Sequence, residues 1–241
     1  MLIKQIFGQM ISFFIPIRKN SKRIKNKNLK RIGNYKFGLT DIKLSHLTKF
    51  KNKIKKDKIL KKIKFEFIIS SDDQRIFNIL KGYKWIKFHK RSSKLSTDNS
   101  LDQLIKMVPH ICKGSFILWT HVTSPFFNES DYLDFLLKFF KNKNKKNKSA
   151  FSADIINKFI FSKKIGWVSH DVKRKKWPRT QDLNNLYVAN SAAFIAEREV
   201  YKKNKDRLCK NTFPILTRDI SGFDLDNKKD FKYLRQIFKK N

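Results

Sequence analysis

The sequence predicts an α/β sandwich whose central sheet is largely parallel and Rossmann-like. The first observation is an early run, Met10–Ile17 (MISFFIPI), that is apolar on both sides of the pleat, as in a central strand covered by helices. The second is that strand-like and helix-like periodicities alternate after it. Strands that alternate with helices form βαβ units with right-handed crossovers, and their ligands bind at the carboxyl ends of the strands. The functional site is therefore expected just after each strand.

The predicted elements follow one another in this alternating order. A helix is predicted where apolar residues recur at close to 3.6-residue spacing between Leu39 and Ile54. A second strand at residues 65–69 ends in a turn-like stretch, residues 70–73, and a helix then runs through Leu80 to its stop signal at Gly82. The later elements are a strand at residues 83–88, a helix at Leu101–Ile111, a strand at residues 116–122, core character at residues 186–195 and a final helix to about Phe238.

The chain length of 241 residues fits a single domain with a small insertion. The Lys/Asn tract at residues 141–148 indicates an exposed boundary, and residues 150–179 interrupt the core pattern with short strands of their own. That segment carries Phe159, Phe161 and Trp167 as exposed-looking apolar residues. An unpaired apolar patch usually meets a partner, so residues 150–179 are predicted to be a dimerisation insertion of a homodimer.

Composition excludes several classes of protein. A hydrophobic fraction of 40% is too high for a disordered chain, and the longest apolar stretch, residues 11–17, is too short to cross a bilayer. Cys112 and Cys209 are far apart and lack a CxxC partner, so neither a disulfide framework nor a zinc site is expected. The first ten residues lack a signal-peptide cleavage pattern, and a cytoplasmic location without membrane insertion is expected.

The net charge of +36 leaves two interpretations open. A phosphate-rich partner such as RNA, DNA or an anionic membrane surface would explain it directly. The other interpretation is that the charge reflects the base composition of the genome. Most of the excess is Lys interleaved with Asn, Ile and Phe, residue types that share AT-rich codons, and on this interpretation the cations lie on solvated faces. Nucleic-acid binding, if it occurs, is expected to be non-specific.

The segment after the first strand carries the first chemical signal. A triphosphate needs cations and donors that converge at a strand end, and Arg18, Ser21, Lys22 and Lys27 provide them within IPIRKNSKRIKNKN. The order of these residues resembles the nucleotide-binding signature of the acylneuraminate cytidylyltransferase family, IPARGGSKGIPRKN. The resemblance implies that Arg18, Ser21 and Lys22 hold the phosphates of CTP, and that Lys27 and Asn28 lie beside the nucleotide.

This segment departs from the family signature at three positions. Lys19 and Asn20 stand where the family commonly has Gly-Gly, and Arg23 stands where it commonly has glycine. Glycine permits close backbone approach and positive φ, so an altered loop that still works is expected.

Further stretches resemble the same family in the same order. FIISSDD at residues 67–73 resembles the strand end IVSTD, and KRSSKLSTD at residues 90–98 resembles RPxELAxD, which implies a nucleotide contact for Arg91. FILWTHVTSP at residues 116–125 resembles a strand that ends in (Q)PTSP. That match implies sugar contacts in the region from His121 through Thr123 to Ser124.

A second sugar-binding stretch begins after the predicted insertion. QDL at residues 181–183 and NSAAF at residues 190–194 resemble QDLPxxYxxNGAxY, which implies sugar contacts from Gln181 and Asn190. Ser191 replaces the family's glycine here. Phe194 replaces a frequent tyrosine and so removes one hydroxyl.

Two carboxylates complete the predicted site. Asp224 and Asp226, at i and i+2 of an extended segment, point to the same face and suit a hard divalent ion beside substrate phosphates. They match the family's metal aspartates, which implies Mg²⁺ and catalytic roles for this pair together with Arg18 and Lys22. The resemblance covers about residues 11–238 and implies a nucleotidyltransferase sandwich that transfers CMP from CTP to an acidic sugar of the sialic-acid type. The alternatives are a nucleic-acid-binding protein and a family member that binds nucleotide without turnover.

Overall fold

The computed structural model describes residues 8–58 and 60–239, and it confirms an α/β architecture around a largely parallel sheet. The strands are β1 (Met10–Ile17), β2 (Lys64–Ser71), β3 (Ile86–Lys90), β4 (Phe116–Thr120), β5 (Ser149–Ile156), β6 (Phe161–Ser162), β7 (Gly166–Trp167), β8 (Leu186–Glu197) and β9 (Phe213–Leu216). The helices are α1 (Gly38–Lys56), α2 (Gln74–Leu80), α3 (Leu101–Ile111), α4 (Glu129–Asn142), α5 (Arg198–Asn204) and α6 (Lys228–Ile237). No helix in the described ranges has the length and apolar character needed to cross a membrane.

The central sheet has seven strands in the order β3-β2-β1-β4-β8-β5-β9. β1 pairs in parallel with β2 and with β4, and β2 pairs in parallel with β3. β8 lies antiparallel between β4 and β5, and β9 is parallel to β5. The carboxyl ends of β1 to β4 therefore open at one edge of the sheet, and β8 starts beyond that edge and runs back into it.

β1 supplies the core on both faces of this sheet. On one face Phe13 packs against Phe50 of α1, with ring centroids 5.2 Å apart, and against Tyr132 of α4. On the other face Phe14 packs against Trp119 at 5.0 Å, in a layer that includes residues of α3 and α5. Adjacent residues of a strand point to opposite faces, so a strand covered on both sides requires an uninterrupted apolar run.

Several boundaries differ from the predicted ones, although β1 and α3 have the predicted limits. β3 begins at Ile86 rather than at Tyr83, because the carbonyl of Tyr83 accepts a turn hydrogen bond from the amide of Ile86 at 2.8 Å. β4 ends at Thr120, so His121 is the first residue of the following loop. The side chain of His121 is thereby free of the strict alternation of a strand.

The segment outside the sheet begins later than the predicted insertion at residues 150–179. Residues 150–156 belong to β5, which pairs with both β8 and β9 inside the central sheet. Ala150 and Ala153 are fully buried there, as expected for small side chains in a covered strand. Residues 157–179 form the part that leaves the sheet, and they are called the arm below.

The arm contains the hairpin of β6 and β7 and an aromatic cluster of its own. Trp177 lies with its ring centroid 5.4 Å from that of Phe159 and 5.5 Å from that of Trp167. Even so, Phe161 is 59% exposed, Ile165 71% and Trp177 67%. The described part of the chain therefore leaves an apolar face of the arm in contact with solvent.

Candidate active site

A cleft of about 310 Å³ opens at the edge where the parallel strands end. Each strand delivers its following loop to this edge, and β8 contributes from the opposite direction. The cleft brings together most of the residues predicted for the site, namely Arg18, Ser21, Lys27, Asn28, Arg91, His121, Thr123, Asp224 and Asp226. These residues are distant in sequence, and the order of strands in the sheet makes them neighbours.

Four of the described residues that were predicted for the site do not line this cleft. Lys22 is exposed on the loop after β1, and Gln181 is exposed on a turn beyond the arm. Ser124 is fully buried beneath the loop that carries Thr123. Asn190 is 7% exposed, and its side-chain amide bonds within the sheet to β5 and to the loop after β9.

The loop after β1 is held in place by buried and partly buried side-chain hydrogen bonds. The Nδ2 of Asn28 donates to the carbonyl of Arg18 at 3.0 Å, and Thr40 Oγ1 donates to the carbonyl of Asn28 at 2.8 Å. Lys27 Nζ donates to the carbonyl of Leu225 at 2.8 Å and so connects this loop to the acidic segment. Asn28 and Lys27 therefore shape the cleft as well as line it.

The changed positions of this loop do not require the freedom of glycine. Lys19, Asn20 and Arg23 all have negative φ, and the left-handed residue of the loop is Asn26, with a φ of 54°. Asparagine tolerates this conformation better than most residues because its short amide bonds locally. The backbone of the loop is thus compatible with the sequence that stands there.

Asp224 and Asp226 stand in different environments although both line the cleft. Burial raises the pKa of Asp224, a hydrogen bond with Thr123 opposes the rise, and Asp226 adds to it. The Oδ1 atom of Asp224 is buried without a hydrogen-bond partner among the described residues. Asp226 is 60% exposed, and its Oδ1 lies 3.1 Å from Nη1 of Arg23. A buried carboxylate oxygen without a donor is a site where a cation would be stabilised.

The acidic pair alone does not make a complete metal site. In residues 8–58 and 60–239 no group of three or more His, Cys, Asp or Glu side chains could hold a metal ion. A hard divalent ion such as Mg²⁺ is commonly held by one or two carboxylates, with substrate phosphates and water as its other ligands. The pair fits that kind of site, because both aspartates line the cleft and Oδ1 of Asp224 has no hydrogen-bond partner among the described residues.

Arg91 enters the cleft from the end of β3 as a buried cation. Its amide donates to the carbonyl of Ser71 at 2.8 Å, and its Nη2 lies 3.8 Å from Oδ1 of Asp72. The same Oδ1 accepts a hydrogen bond from the amide of Lys19 at 2.8 Å. Burial lowers the pKa of Arg91, and its Nε has no hydrogen-bond partner among the described residues. Arg91 is therefore held close to the loop after β1 with donor capacity to spare.

His121 is neutral, and its tautomer follows from its neighbour. Trp119 Nε1, which can only donate, bonds to Nε2 of His121 at 2.8 Å, so the ring proton of His121 is on Nδ1. Burial lowers the pKa of His121 to about 3, and the cations of Arg207, Lys43 and Lys27 contribute to the shift. His121 can offer a substrate one N–H donor, but it cannot offer a positive charge at neutral pH.

Similarity to known proteins identifies the family to which this site belongs. The family model described as Cytidylyltransferase matches residues 12–237. The chain belongs to the cytidylyltransferase family. It is a nucleotidyltransferase, and its nucleotide is CTP.

Individual relatives are distant in sequence but similar over their whole length. The post-translational flagellin modification protein B of Campylobacter coli is 24% identical over 233 residues, which are 93% of each protein. The structure of CMP:2-keto-3-deoxy-manno-octonic acid synthetase complexed with CTP aligns at a TM-score of 0.60 and 13% identity, covering 95% of this chain and 98% of that one. The 4-diphosphocytidyl-2C-methyl-D-erythritol synthase of Anaerococcus prevotii aligns at a TM-score of 0.62 and 14% identity, covering 98% of this chain and 97% of that one. These structures share the fold of this cytidylyltransferase.

A larger groove beside the cytidylyltransferase cleft has a different character. It measures about 580 Å³ and lies between the loop after β1 and α6. Its lining is apolar at Ile24 and Phe231 and otherwise mainly basic, with Lys25, Lys30, Lys228, Lys232, Arg235 and Lys239. None of the described residues that line it is a carboxylate, so the groove can attract an anion but has no group there to hold a metal against a phosphoryl group. The smaller cleft is the candidate active site.

Sequence reasoning missed several residues of the cleft and its rim, and three of them bear on its chemistry. Trp119 and Ser191 line it, and Arg23 reaches Asp226 from the loop after β1. Trp119 lies within the apolar strand β4 and therefore resembles an ordinary core residue. The positive charge of Arg23 was a usable signal, because a cation near two carboxylates is expected to pair with one of them.

Proposed function

We propose that this cytidylyltransferase transfers CMP from CTP to the anomeric hydroxyl of an acidic 2-keto-3-deoxy sugar of the sialic-acid type. The observation that carries the proposal is the cleft itself, which Arg18, Ser21 and Arg91 line together with the pair Asp224 and Asp226. The ordered motif resemblance supports it, as does the 2-keto-3-deoxy-octonic acid that the CTP-bound structural relative activates. CTP is a cytoplasmic nucleotide, which favours a cytoplasmic location.

In this reaction the sugar hydroxyl oxygen forms a bond to the α-phosphorus of CTP. The bond from that phosphorus to the bridging oxygen breaks, pyrophosphate leaves with its electron pair, and the hydroxyl proton is released to water. Arg18 and Ser21 would bind the triphosphate after β1, with Lys22 reaching it from the exposed side of the same loop. Nucleotidyl transfer needs little covalent chemistry from a protein, so positioning and charge neutralisation would supply most of the rate.

Asp224 and Asp226 would hold Mg²⁺ against the phosphates of CTP. When bound, the ion would neutralise developing phosphate charge and make the incoming hydroxyl more acidic. Asp224 contributes a buried oxygen that lacks a donor, and Asp226 contributes an exposed carboxylate that Arg23 also contacts. Lys27 would orient the pair, because it donates to the carbonyl of the residue between them.

The acceptor sugar would occupy the β4 and β8 side of the cleft. The Nδ1–H of His121 is a donor there, the hydroxyl oxygen of Thr123 is an acceptor because its proton is shared with Asp224, and both residues line the cleft. A neutral His121 favours hydrogen bonding to the sugar over charge pairing with its carboxylate. Gln181 lies outside the cleft of its own chain, so it would meet a sugar only if it reached the cleft of a second copy.

We also propose that the enzyme is a homodimer joined through the arm. The arm exposes Phe161, Ile165 and Trp177, and the adjoining ends of β5 and β8 expose Ile155 and Tyr187. These residues are 42 to 71% exposed, and an apolar surface of this kind is usually covered by a protein partner. Association of two copies would cover both apolar faces at once.

A pyrophosphate-release assay tests the catalytic proposal. The enzyme is incubated with CTP, Mg²⁺ and one acceptor at a time: sialic, legionaminic or pseudaminic acid, 2-keto-3-deoxy-octonic acid, or 2-C-methyl-erythritol 4-phosphate. Turnover with a nine-carbon acid is the expected result. Turnover with the polyol phosphate alone would refute the acidic-sugar assignment. CTP binding in a thermal-shift experiment without turnover on any acceptor would instead support a family member that has lost catalysis.

A further inference from the structure

β8 carries a bulge at the point where it meets the cleft. It pairs with β5 through Phe151 and Phe194, and pairing resumes between Ala153 and Ala189. Ser152 of β5 therefore stands alone opposite residues 190–193 of β8. A bulge of this kind interrupts the alternation of side chains and redirects them, and bulges are frequent beside active sites.

Buried hydrogen bonds hold the bulge in a single shape. Ser152 Oγ donates to Oδ1 of Asn190 at 2.6 Å and accepts from the amide of Ala193 at 2.8 Å. The amide of Ala192 donates to the same Oδ1 at 3.3 Å, and Thr120 Oγ1 donates to the carbonyl of Ala192 at 2.7 Å. Asn190 and its neighbours thus fix the backbone on both sides of the residue between them, which is Ser191.

Ser191 occupies an unfavourable conformation and faces the cleft. Its φ is 62°, in the left-handed region where a serine is less stable than a glycine. It lines the cleft together with His121, Thr123 and Asp224. Its hydroxyl makes no hydrogen bond to another residue of the described chain that would offset the strained backbone. Strained residues held by their surroundings in this way are concentrated at functional sites.

The order of the sheet indicates which substrate Ser191 meets. The loop that carries Arg18 and Ser21 follows β1, and Arg91 follows β3 on the far side of β1. Ser191 lies on β8, which is separated from β1 by β4. The basic side chains that suit a triphosphate therefore stand on one side of the cleft, and the hydroxyl of Ser191 stands on the other.

We propose that Ser191 is a specificity-determining residue whose hydroxyl hydrogen-bonds the polar acceptor substrate rather than CTP. This inference rests on the proposed function, because it takes the acceptor substrate to be a hydroxylated sugar acid. A neutral hydrogen bond to a substrate corresponds to about a fivefold to tenfold difference in affinity. A glycine at position 191 would adopt the same backbone conformation without strain but would lack the hydroxyl. The hydroxyl is therefore what the strained serine contributes to the cleft.

The test compares Ser191→Gly with Ser191→Ala in acceptor kinetics and thermal melts. Ser191→Gly removes both the hydroxyl and the strain, so the KM for the acceptor rises about fivefold to tenfold while the Tm rises by about 2 °C. Ser191→Ala removes the hydroxyl but keeps the strain, so the KM rises equally without a gain in Tm. The KM for CTP stays within twofold of wild type in both variants.

A matched control isolates the strain from the chemistry. Lys205 has a φ of 53° at the end of α5, is exposed and lies outside the cleft. Lys205→Gly is expected to raise the Tm in the same way and to leave both KM values unchanged. An unchanged acceptor KM in Ser191→Gly would overturn the proposal, and so would an equal rise in the KM for CTP.

The failure of the proposed function would be distinguishable from the failure of this inference. If wild type uses a different alcohol and no sugar acid, the proposed function is wrong, and the Ser191 variants are measured on that alcohol. If no acceptor supports turnover, both proposals are wrong. If a sugar acid is used and the variants match wild type, only the role of Ser191 is wrong.

Discussion

Asp224→Asn and Asp226→Asn change the charge of the acidic pair while keeping its size. Asp224 is buried, its Oδ1 lacks a partner among the described residues, and burial raises its pKa. The folded chain is therefore less stable with this carboxylate ionised than with a neutral group, and Asp224→Asn should keep or raise the Tm in metal-free buffer. Asp226 is 60% exposed and pairs with Arg23 at 3.1 Å. An exposed pair contributes about 0.5 kcal/mol, so Asp226→Asn should lower the Tm by no more than about 2 °C.

The expected kinetic effect is far larger than the effect on stability. A divalent ion contributes several kcal/mol to stabilisation of the transition state. Loss of one of its two protein carboxylates is expected to remove about 3 kcal/mol, which lowers kcat on the order of 100-fold. The affinity for CTP should change little, because Arg18 and Ser21 of the loop after β1 still line the cleft. Turnover and nucleotide binding are thereby separated.

The assay is pyrophosphate release at saturating CTP and acceptor across a range of Mg²⁺ concentrations, with melts recorded in the same buffers. Asp134→Asn is the control, because Asp134 pairs with Lys138 on α4 at 2.7 Å and is 38% exposed, away from the cleft. It should match the small Tm change of Asp226→Asn and keep wild-type kcat. Near wild-type turnover in both cleft variants would refute the metal assignment. A large loss of Tm in Asp224→Asn would show that Asp224 is structural.

Three further predictions follow from other parts of the molecule. Arg18→Ala should raise the KM for CTP and lower kcat together, since a phosphate contact present in both ground and transition states is lost; steady-state kinetics that changed only one of them would contradict this. Light scattering at micromolar concentration should give a dimer mass, and Trp177→Ser should shift it toward monomer; a wild-type monomer would contradict the arm interface. Affinity for DNA or RNA should be independent of sequence and fall steeply with salt, measured by anisotropy. Tight, sequence-selective binding that persisted at high salt would favour a nucleic-acid-binding function.

A pH prediction concerns Lys43 beneath the loop of Thr123. Burial lowers its pKa to about 7, against the opposing effect of Asp131, and its Nζ lies 2.7 Å from the hydroxyl of Tyr132. Its pKa in the unfolded chain is the ordinary 10.5, so the unfolded state binds more protons between these values, and stability rises with pH across that window. The free energy of unfolding should gain about 2 kcal/mol from Lys43 between pH 7 and pH 9. The free energy of unfolding, measured by denaturant melts at several pH values, should rise more steeply with pH in wild type than in Lys43→Met by this amount. Parallel pH dependences in the two proteins would contradict the prediction.

The parts of the fold that the sequence determined are those with unambiguous periodicity. β1 and α3 have the predicted limits, because a strand covered on both faces must be apolar throughout and an amphipathic helix repeats its apolar side chains every three to four residues. The loops after the parallel strands were predictable as the site because parallel strands with similar connections all end at one edge of a sheet. The family was predictable because several motifs occur in one order, which composition and charge alone could not show.

Which residue of a motif meets the substrate was decided by the tertiary structure. Asn190 and Ser191 are adjacent in one motif, yet Asn190 is bonded inside the sheet and Ser191 lines the cleft. Likewise, Thr123 lines the cleft while Ser124 is fully buried. The reason is that a bulge and a strand end reset the direction of side chains, and both depend on pairing with strands far away in sequence. The sequence by itself indicated the first four strands of the sheet, the loops that follow them and the chemistry available, whereas the pairing of β8 with β4 and β5 decided which side chains of the β8 motif face the cleft.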